Sequence, residues 1–177
     1  MNILLTSSGR RTYIVEYMKQ ALNGKGLVHA ANSEFSIAMQ VADRSVCTPM
    51  IYDDGYLDFL LAYCQENQIG AVMSLFDIDL PVLAGAKKRF ADKGIQIVVS
   101  DYSVTRICND KFQTYKFLQE NNFNAPLTFI ELDDLRKARH SGTIHYPVIV
   151  KPRWGMGSIG IYQADSDKEL DVFYANV

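Results

Sequence analysis

A lysine that closes an apolar run and is followed at once by a glycine-rich loop can do one kind of chemistry well, which is to grip an anion. That arrangement occurs at Pro147-Val-Ile-Val-Lys-Pro-Arg-Trp-Gly-Met-Gly-Ser-Ile-Gly-Ile-Tyr162. Residues 147 to 150 are β-branched and apolar after a proline, which predicts a buried strand bounded by a turn residue. Lys151 emerges at the end of that strand. Gly155, Gly157 and Gly160 follow, and backbone without Cβ atoms turns tightly enough to bring its N–H groups onto a bound phosphate. An ordinary glycine-rich hairpin with a lysine at its edge is the competing reading.

As a string, Gly155 to Gly160 also spells G-x-G-x-x-G, but that dinucleotide fingerprint requires a helix opening directly from the glycines. Here Ile159, Ile161 and Tyr162 continue in β-type chemistry. The next helix start is Ser166, which forms a capping-box pattern with Glu169. The loop is therefore expected to join two strands, as a flap that folds over phosphates.

The elements that must position this loop are spread over 177 residues, 48% apolar and 21% charged, enough for one ordinary core or a core plus a smaller module. A formal net charge of −2 argues against nucleic acid or an anionic membrane as the main partner, so any anion site is local. Cys47, Cys64 and Cys108 have neither C-x-x-C spacing nor an even count. No disulfide framework or zinc site is indicated, and all three are expected to pack as small apolar residues. The run Ile3 to Leu5 is too short for a signal or membrane segment, and the expected compartment is the cytoplasm.

Asn2 to Thr6 predicts a strand, followed by the loop Ser7-Ser8-Gly9-Arg10-Arg11 and a helix with Ile14, Tyr17, Met18, Ala21 and Leu22 on one face. Asn23-Gly24-Lys25-Gly26 stops it, and a second strand covers Leu27 to Ala31. A short helix at 35–42, a strand from Arg44 to Thr48, a helix from Tyr56 to Glu66 and a strand from Ala71 to Leu75 follow. Asp77 or Asp79 then caps a helix that runs to about Ala91, and Ile95 to Val99 is one more strand. This alternation predicts parallel β-α-β units in an open, doubly wound sheet, Rossmann-like without its glycine signature, with ligands at the C-terminal strand ends. The aromatics at 13, 17, 56, 59, 63, 112 and 115 are periodic enough to read as core.

After Asp101 the spacing of Val104, Cys108, Tyr115 and Leu118 is helical and takes in Lys111. Either Lys111 lies within one long helix, or Asn109 or Asp110 caps a new helix and puts it in the first turn, where the helix dipole disfavours a cation. A different module begins at Ala125-Pro126, with a strand at 127–130, a helix at 131–139 and the strand-loop-strand described first.

The pairing of Asn109-Asp110-Lys111 with Tyr146-Pro-Val-Ile-Val-Lys-Pro-Arg-Trp-Gly-Met-Gly-Ser-Ile-Gly160 resembles the ATP-grasp superfamily, and most closely proteins similar to the carbamoyl phosphate synthase large subunit. Asn2-Ile-Leu-Leu-Thr-Ser-Ser-Gly-Arg-Arg11 and Ser74-Leu-Phe-Asp-Ile-Asp-Leu-Pro81 resemble the part of that group that precedes the ATP-grasp domain. The resemblance covers nearly the whole chain. It implies an α/β protein with a Rossmann-like pre-ATP-grasp domain at residues 1–124 and the beginning of an α+β ATP-grasp subdomain at 125–177. Lys111 and Lys151 are then the two phosphate-binding cations, and Gly155, Met156, Gly157 and Ser158 close over the β- and γ-phosphates of ATP.

Two lysines within about 4 Å of phosphate oxygens would each contribute up to roughly 4 kcal/mol of attraction at an effective dielectric near 20, before desolvation. Doubled cations with backbone donors are also how phosphoryl transfer is stabilised.

The resemblance further implies an ATP-dependent carboxylate-amine ligase whose Mg²⁺ ligands are expected outside this chain. The chain reads as an N-terminal portion that contributes phosphate contacts and does not turn over alone. The carboxylate and amine are not legible, no metal ligands are assigned, and a homo-oligomer is compatible with the pattern. Ser8, Gly9, Arg10 and Arg11 are candidates for a second anion or substrate site, because two cations where a helix begins suggest an anionic ligand. Those arginines equally suit solvent. Trp154 either shields a nucleotide or anchors the flap. The contrasting functions are a Rossmann-like nucleotide or dinucleotide-binding domain without ligase activity, and a non-enzymatic interaction domain.

Overall fold

The computed structural model describes residues Met1–Val177, which divide into two compact units, Met1–Thr105 and Arg106–Val177. The first unit holds β1 (Asn2–Thr6), α1 (Thr12–Leu22), β2 (Val28–Asn32), α2 (Ile37–Val41), β3 (Arg44–Cys47), α3 (Tyr56–Glu66), β4 (Ile69–Ser74), α4 (Asp79–Ala91) and β5 (Gln96–Ile97). All its strand pairs are parallel, and the order is β3-β2-β1-β4-β5. Successive strand residues face opposite sides. Leu4 therefore joins Ala31, Tyr56, Leu60, Val72, Leu83 and Phe90 on the face covered by α3 and α4. Leu5 joins Val15, Val28 and Ala38 on the face covered by α1 and α2. This is the doubly wound sheet that alternating strands and helices predict. Its order reverses between β1 and β4, so the loops after those two strands diverge at the C-terminal edge.

The helix α5 (Tyr102–Asn109) spans the division between the units. The second unit continues with α6 (Lys111–Glu120), α7 (Leu132–His140), β6 (Val148–Val150), β7 (Tyr162–Ala164) and α8 (Asp167–Tyr174). The strands β6 and β7 pair antiparallel, Val148 with Ala164 and Val150 with Tyr162. Val150, Ala164 and Leu170 form a small core with Leu132, Leu135, Tyr146, Val148 and Phe173 against them. Four ion pairs lie on α7 and α8: Arg136 with Asp133 and Asp171, Lys137 with Asp134, and Arg139 with Asp167.

Several local expectations are corrected. No strand forms at 127–130, because β6 and β7 complete their sheet without it and Leu127 is exposed. The strand at 148–150 is not buried throughout: Val150 faces the core, and Ile149, pointing the other way, faces solvent. Tyr13 and Tyr17 stand exposed on α1, where Val15 fills the buried position, and Ala21 is exposed as well. Of the cysteines only Cys64 is buried, and burial pushes its thiol up to about 12; Cys47 and Cys108 are exposed. The helix α5 ends at Asn109, and Asp110 caps α6 by accepting from the N–H groups of Phe112 and Gln113.

Neither Asp77 nor Asp79 is the capping residue of α4, which is Ile78. Asp79 instead lies in the first turn of α4, wholly buried, where a carboxylate complements the helix dipole. Its oxygens accept from Thr6 Oγ1 at 2.6 Å, Tyr56 OH at 3.0 Å and Ser7 Oγ at 3.4 Å. One carboxylate thus ties the end of β1 to the starts of α3 and α4. Burial, and then the Asp79 charge, push the Tyr56 phenol well above its ordinary value. Loss of a hydrogen bond to a buried charge costs about 1.5–3 kcal/mol. Tyr56→Phe should therefore lower the urea midpoint of unfolding by a matching amount at constant m-value, and an unchanged midpoint would contradict this role of Asp79.

His29, on β2, is a buried titratable side chain of the sheet itself. Its Nδ1 lies 2.9 Å from Tyr63 OH, and its Nε2 is buried without a partner in either tautomer. Burial lowers its pKa first, Arg44 second, and Asp43 opposes them. With the folded value below the unfolded one, near 6.5, the neutral ring stabilises the fold above that pH, and this contribution is lost on acidification. From pH 6.5 down to the folded value, stability should fall by up to about 1.4 kcal/mol per pH unit. Melts between pH 7 and pH 5 should show this slope flattened in His29→Gln; an identical slope in both proteins would contradict it.

Candidate functional site

The glycine loop spans the connection between β6 and β7, two antiparallel strands with no helix between them, as expected of a flap. Lys151 leaves the end of β6 exposed, and its ammonium makes no hydrogen bond or ion pair. Gly155 and Gly157 have φ values of 115° and 65°, in the left-handed region, and a Cβ on either would meet nothing within 4 Å. The backbone is therefore open to an incoming group on that side. Met156 and Ser158 complete the turn, Ser158 also left-handed at φ 60°. At Gly160 a Cβ would stand 2.9 Å from Pro152 Cγ, so a side chain there would keep the loop from closing on Pro152.

Lys111 is brought to this loop across 44 residues of sequence: its Nζ donates to the carbonyl of Gly155 at 2.8 Å. An ammonium has three donors, so two remain for another acceptor. The N-terminal end of α6 adds the partial positive charge of the helix dipole. A lysine in that turn is unfavourable alone, and the Gly155 carbonyl together with the neighbouring Asp110 carboxylate offsets it.

Asp110, read from the sequence only as a possible cap, has a second role that the sequence did not show. Its carboxylate, nearly buried, caps α6 and also accepts from Arg153, with Nε 2.9 Å from both oxygens and Nη2 2.7 Å from Oδ2. The Arg153 hydrogen bonds hold the Asp110 carboxyl below the usual carboxylate range, helped by the Gln113 and Phe112 N–H groups and opposed by burial. The Lys111 N–H donates to the Arg153 carbonyl at 3.2 Å. The Arg153 guanidinium also lies 4.6 Å from the ring of Trp154 and 5.8 Å from that of Phe112. Both partners stand inside the two motifs singled out above, but nothing in their spacing says that they meet.

The late acidic residues are occupied by local structure. Asp165 accepts from Gln163, Glu169 from the Asp165 N–H, Asp167 from Arg139 and Tyr146, and Asp171 from Arg136. They are not gathered as a cation site, and no group of His, Cys, Asp or Glu side chains in the chain is.

In the first unit the loop after β1 places Ser8 in the interior, its hydroxyl 3.4 Å from the Ala31 carbonyl. Gly9 turns at φ 54°, and its carbonyl accepts from Ala38 N–H. Arg10 is exposed and Arg11 half-buried, and neither guanidinium has a partner. The structure therefore separates the four residues: two shape the loop, and two present charge at the start of α1. No helix of the protein is long and apolar enough to cross a membrane.

Residues 3–98 match the model of the PylC-like N-terminal domain, and residues 108–177 match that of an ATP-grasp domain. The D-alanine–D-alanine ligase of Thermotoga maritima is 38% identical over 77 residues, which are 44% of this chain and 24% of the ligase. The carbamoyl phosphate synthase large chain of Bifidobacterium animalis subsp. lactis is 23% identical over 149 residues, 83% of this chain and 13% of that protein. The crystal structure of N5-carboxyaminoimidazole synthetase from Staphylococcus aureus complexed with ADP superposes with a TM-score of 0.73 at 18% identity, over 98% of this chain and 44% of that one. The chain thus spans a quarter or less of the two curated relatives. With a PylC-like N-terminal domain over more than half of its length followed by an ATP-grasp domain, the chain belongs to the ATP-grasp superfamily.

Proposed function

We propose that this chain carries the phosphate-gripping part of an ATP-dependent carboxylate-amine ligase, similar in its reaction to carbamoyl phosphate synthase. The observation that carries the reading is the contact of Lys111 with Gly155, which joins the first cation to the flap that bears the second, Lys151. The residues fit a polyphosphate. Two donors of Lys111 and all three of Lys151 are uncommitted, and the open side of Gly155 and Gly157 lets N–H groups approach an anion without steric cost. ATP bound there supplies the phosphoryl group that activates a carboxylate for attack by an amine.

The chain's own residues hold and orient. Lys111 keeps Gly155 with one donor and offers the others to phosphate oxygens, so binding of phosphate and placement of the flap are coupled through one ammonium. Lys151 balances the remaining charge. Met156, between the two glycines, and Ser158, just after them, lie over the phosphates when the flap closes. The carboxylates present do not form a Mg²⁺ site, each late acidic residue being engaged in a cap, an ion pair or, for Asp165, a hydrogen bond from Gln163. We therefore expect binding without turnover from these 177 residues. Arg10 and Arg11, unpaired at the start of α1, suit an anionic group on the substrate. The ADP complex of the structural relative and the ligase and synthase names of the curated relatives support the reading.

Calorimetric titration with ATP and with NADH tests it. ATP should bind in preference to NADH, with affinity weaker than micromolar. Lys151→Ala and Lys111→Ala should each lower that affinity about tenfold, or roughly 1.4 kcal/mol. Preference for NADH, or indifference to both substitutions, would contradict the proposal.

A further inference from the structure

We infer that Asp110 and Arg153 form a positioning pair that holds the base of the glycine flap, and that Arg153 is not a third phosphate ligand. The inference rests on reading the loop as a phosphate site.

The flap is fastened unevenly. Residues 153 to 155 are held at three points by two consecutive residues: the Arg153 guanidinium by the Asp110 carboxylate, the Arg153 carbonyl by the Lys111 N–H, and the Gly155 carbonyl by Lys111 Nζ. Beyond Gly155 the loop makes a single backbone hydrogen bond of its own, Ile159 N–H to the Met156 carbonyl at 3.4 Å, and Ile159 is 80% exposed. A fixed base with a loosely held tip is the mechanical requirement of a flap, with the large φ of Gly155 at the junction.

Arg153 stands among cations, and charge alone would make it a phosphate ligand. Its bonds say otherwise. Nε and Nη2 both reach Asp110, whose two oxygens face this one guanidinium, and Trp154 and Phe112 lie beside it. A fork bound this way is geometrically exacting, since guanidinium is planar and carboxylate matches it. The same carboxylate caps α6, so Arg153 is indexed to the helix turn that carries Lys111. Trp154, the sole tryptophan, adjoins the pair and reports on it.

The two roles predict opposite signs. Were Arg153 to grip phosphate, neutralising Asp110 would remove a negative charge beside the anion and strengthen MgATP binding. A positioning pair loses the flap base, and binding weakens. Asp110→Asn keeps an acceptor for the α6 cap, and Arg153→Lys keeps the charge but not the fork, leaving Asp110 untouched should the first variant fold poorly. Calorimetry of the full chain with MgATP, with Trp154 emission and acrylamide quenching recorded without nucleotide, should show affinity lowered about tenfold in both variants and a more readily quenched Trp154. The melting of the first unit should be unchanged. Tighter or equal binding by Asp110→Asn, or full affinity in Arg153→Lys, overturns the positioning role while leaving the nucleotide reading intact. Absence of MgATP binding by the unaltered chain overturns that reading, and the positioning role with it.

Discussion

The glycine loop depends on one carboxylate. Asp110 closes the N-terminus of α6 and receives Arg153, so the helix turn bearing Lys111 and the start of the loop are parts of one hydrogen-bonded unit. The pair is short and mostly shielded from water on the carboxylate side, conditions in which charge-assisted hydrogen bonds exceed the small worth of surface ion pairs. Lys111 and the start of the loop are thereby placed without a large hydrophobic core. The second unit has only a two-stranded sheet and a core centred on Val150, Ala164 and Leu170, so polar bonds do more of the positioning there than in the first unit.

The first unit uses the same device with the opposite exposure. Its sheet is buried on both faces, and at its C-terminal edge Asp79 gathers three hydroxyl groups from the ends of β1 and α3. A buried charge is tolerated there because its oxygens are satisfied and it sits in the first turn of α4. The loop carrying Arg10 and Arg11 starts from this fixed point. In each unit a carboxylate in contact with a helix start anchors a loop whose cations face outward.

The doubly wound sheet was legible because alternating apolar strands and stopped helices leave few other arrangements, and the strand-loop-strand around Gly155 was legible because β-type residues resume at Ile161. Lys111 and Lys151 could be named from their motifs. Asp110 could be seen only as one of two possible caps, since pairing with a residue 43 positions away leaves no local period. Asp79 was misread as a cap for a related reason: Asp at a helix start is ordinarily a cap, and only the tertiary approach of Thr6 and Tyr56 turns it inward. Exposure of Tyr13 and Tyr17 shows the same limit, because helical spacing gives a face and not its depth. The strand expected at 127–130 failed because β propensity forms no ladder without a neighbour.

We propose that phosphate is gripped between Lys111, Lys151 and the glycine flap. Hydrogen exchange of the chain with and without saturating MgATP addresses it most directly, since flap amides that donate to phosphate must slow. Protection is expected at residues 155 to 160 and at the first turn of α6, with β5 unchanged. Exchange that is unaltered in the flap while nucleotide is bound, or protection confined to the first unit, would contradict it.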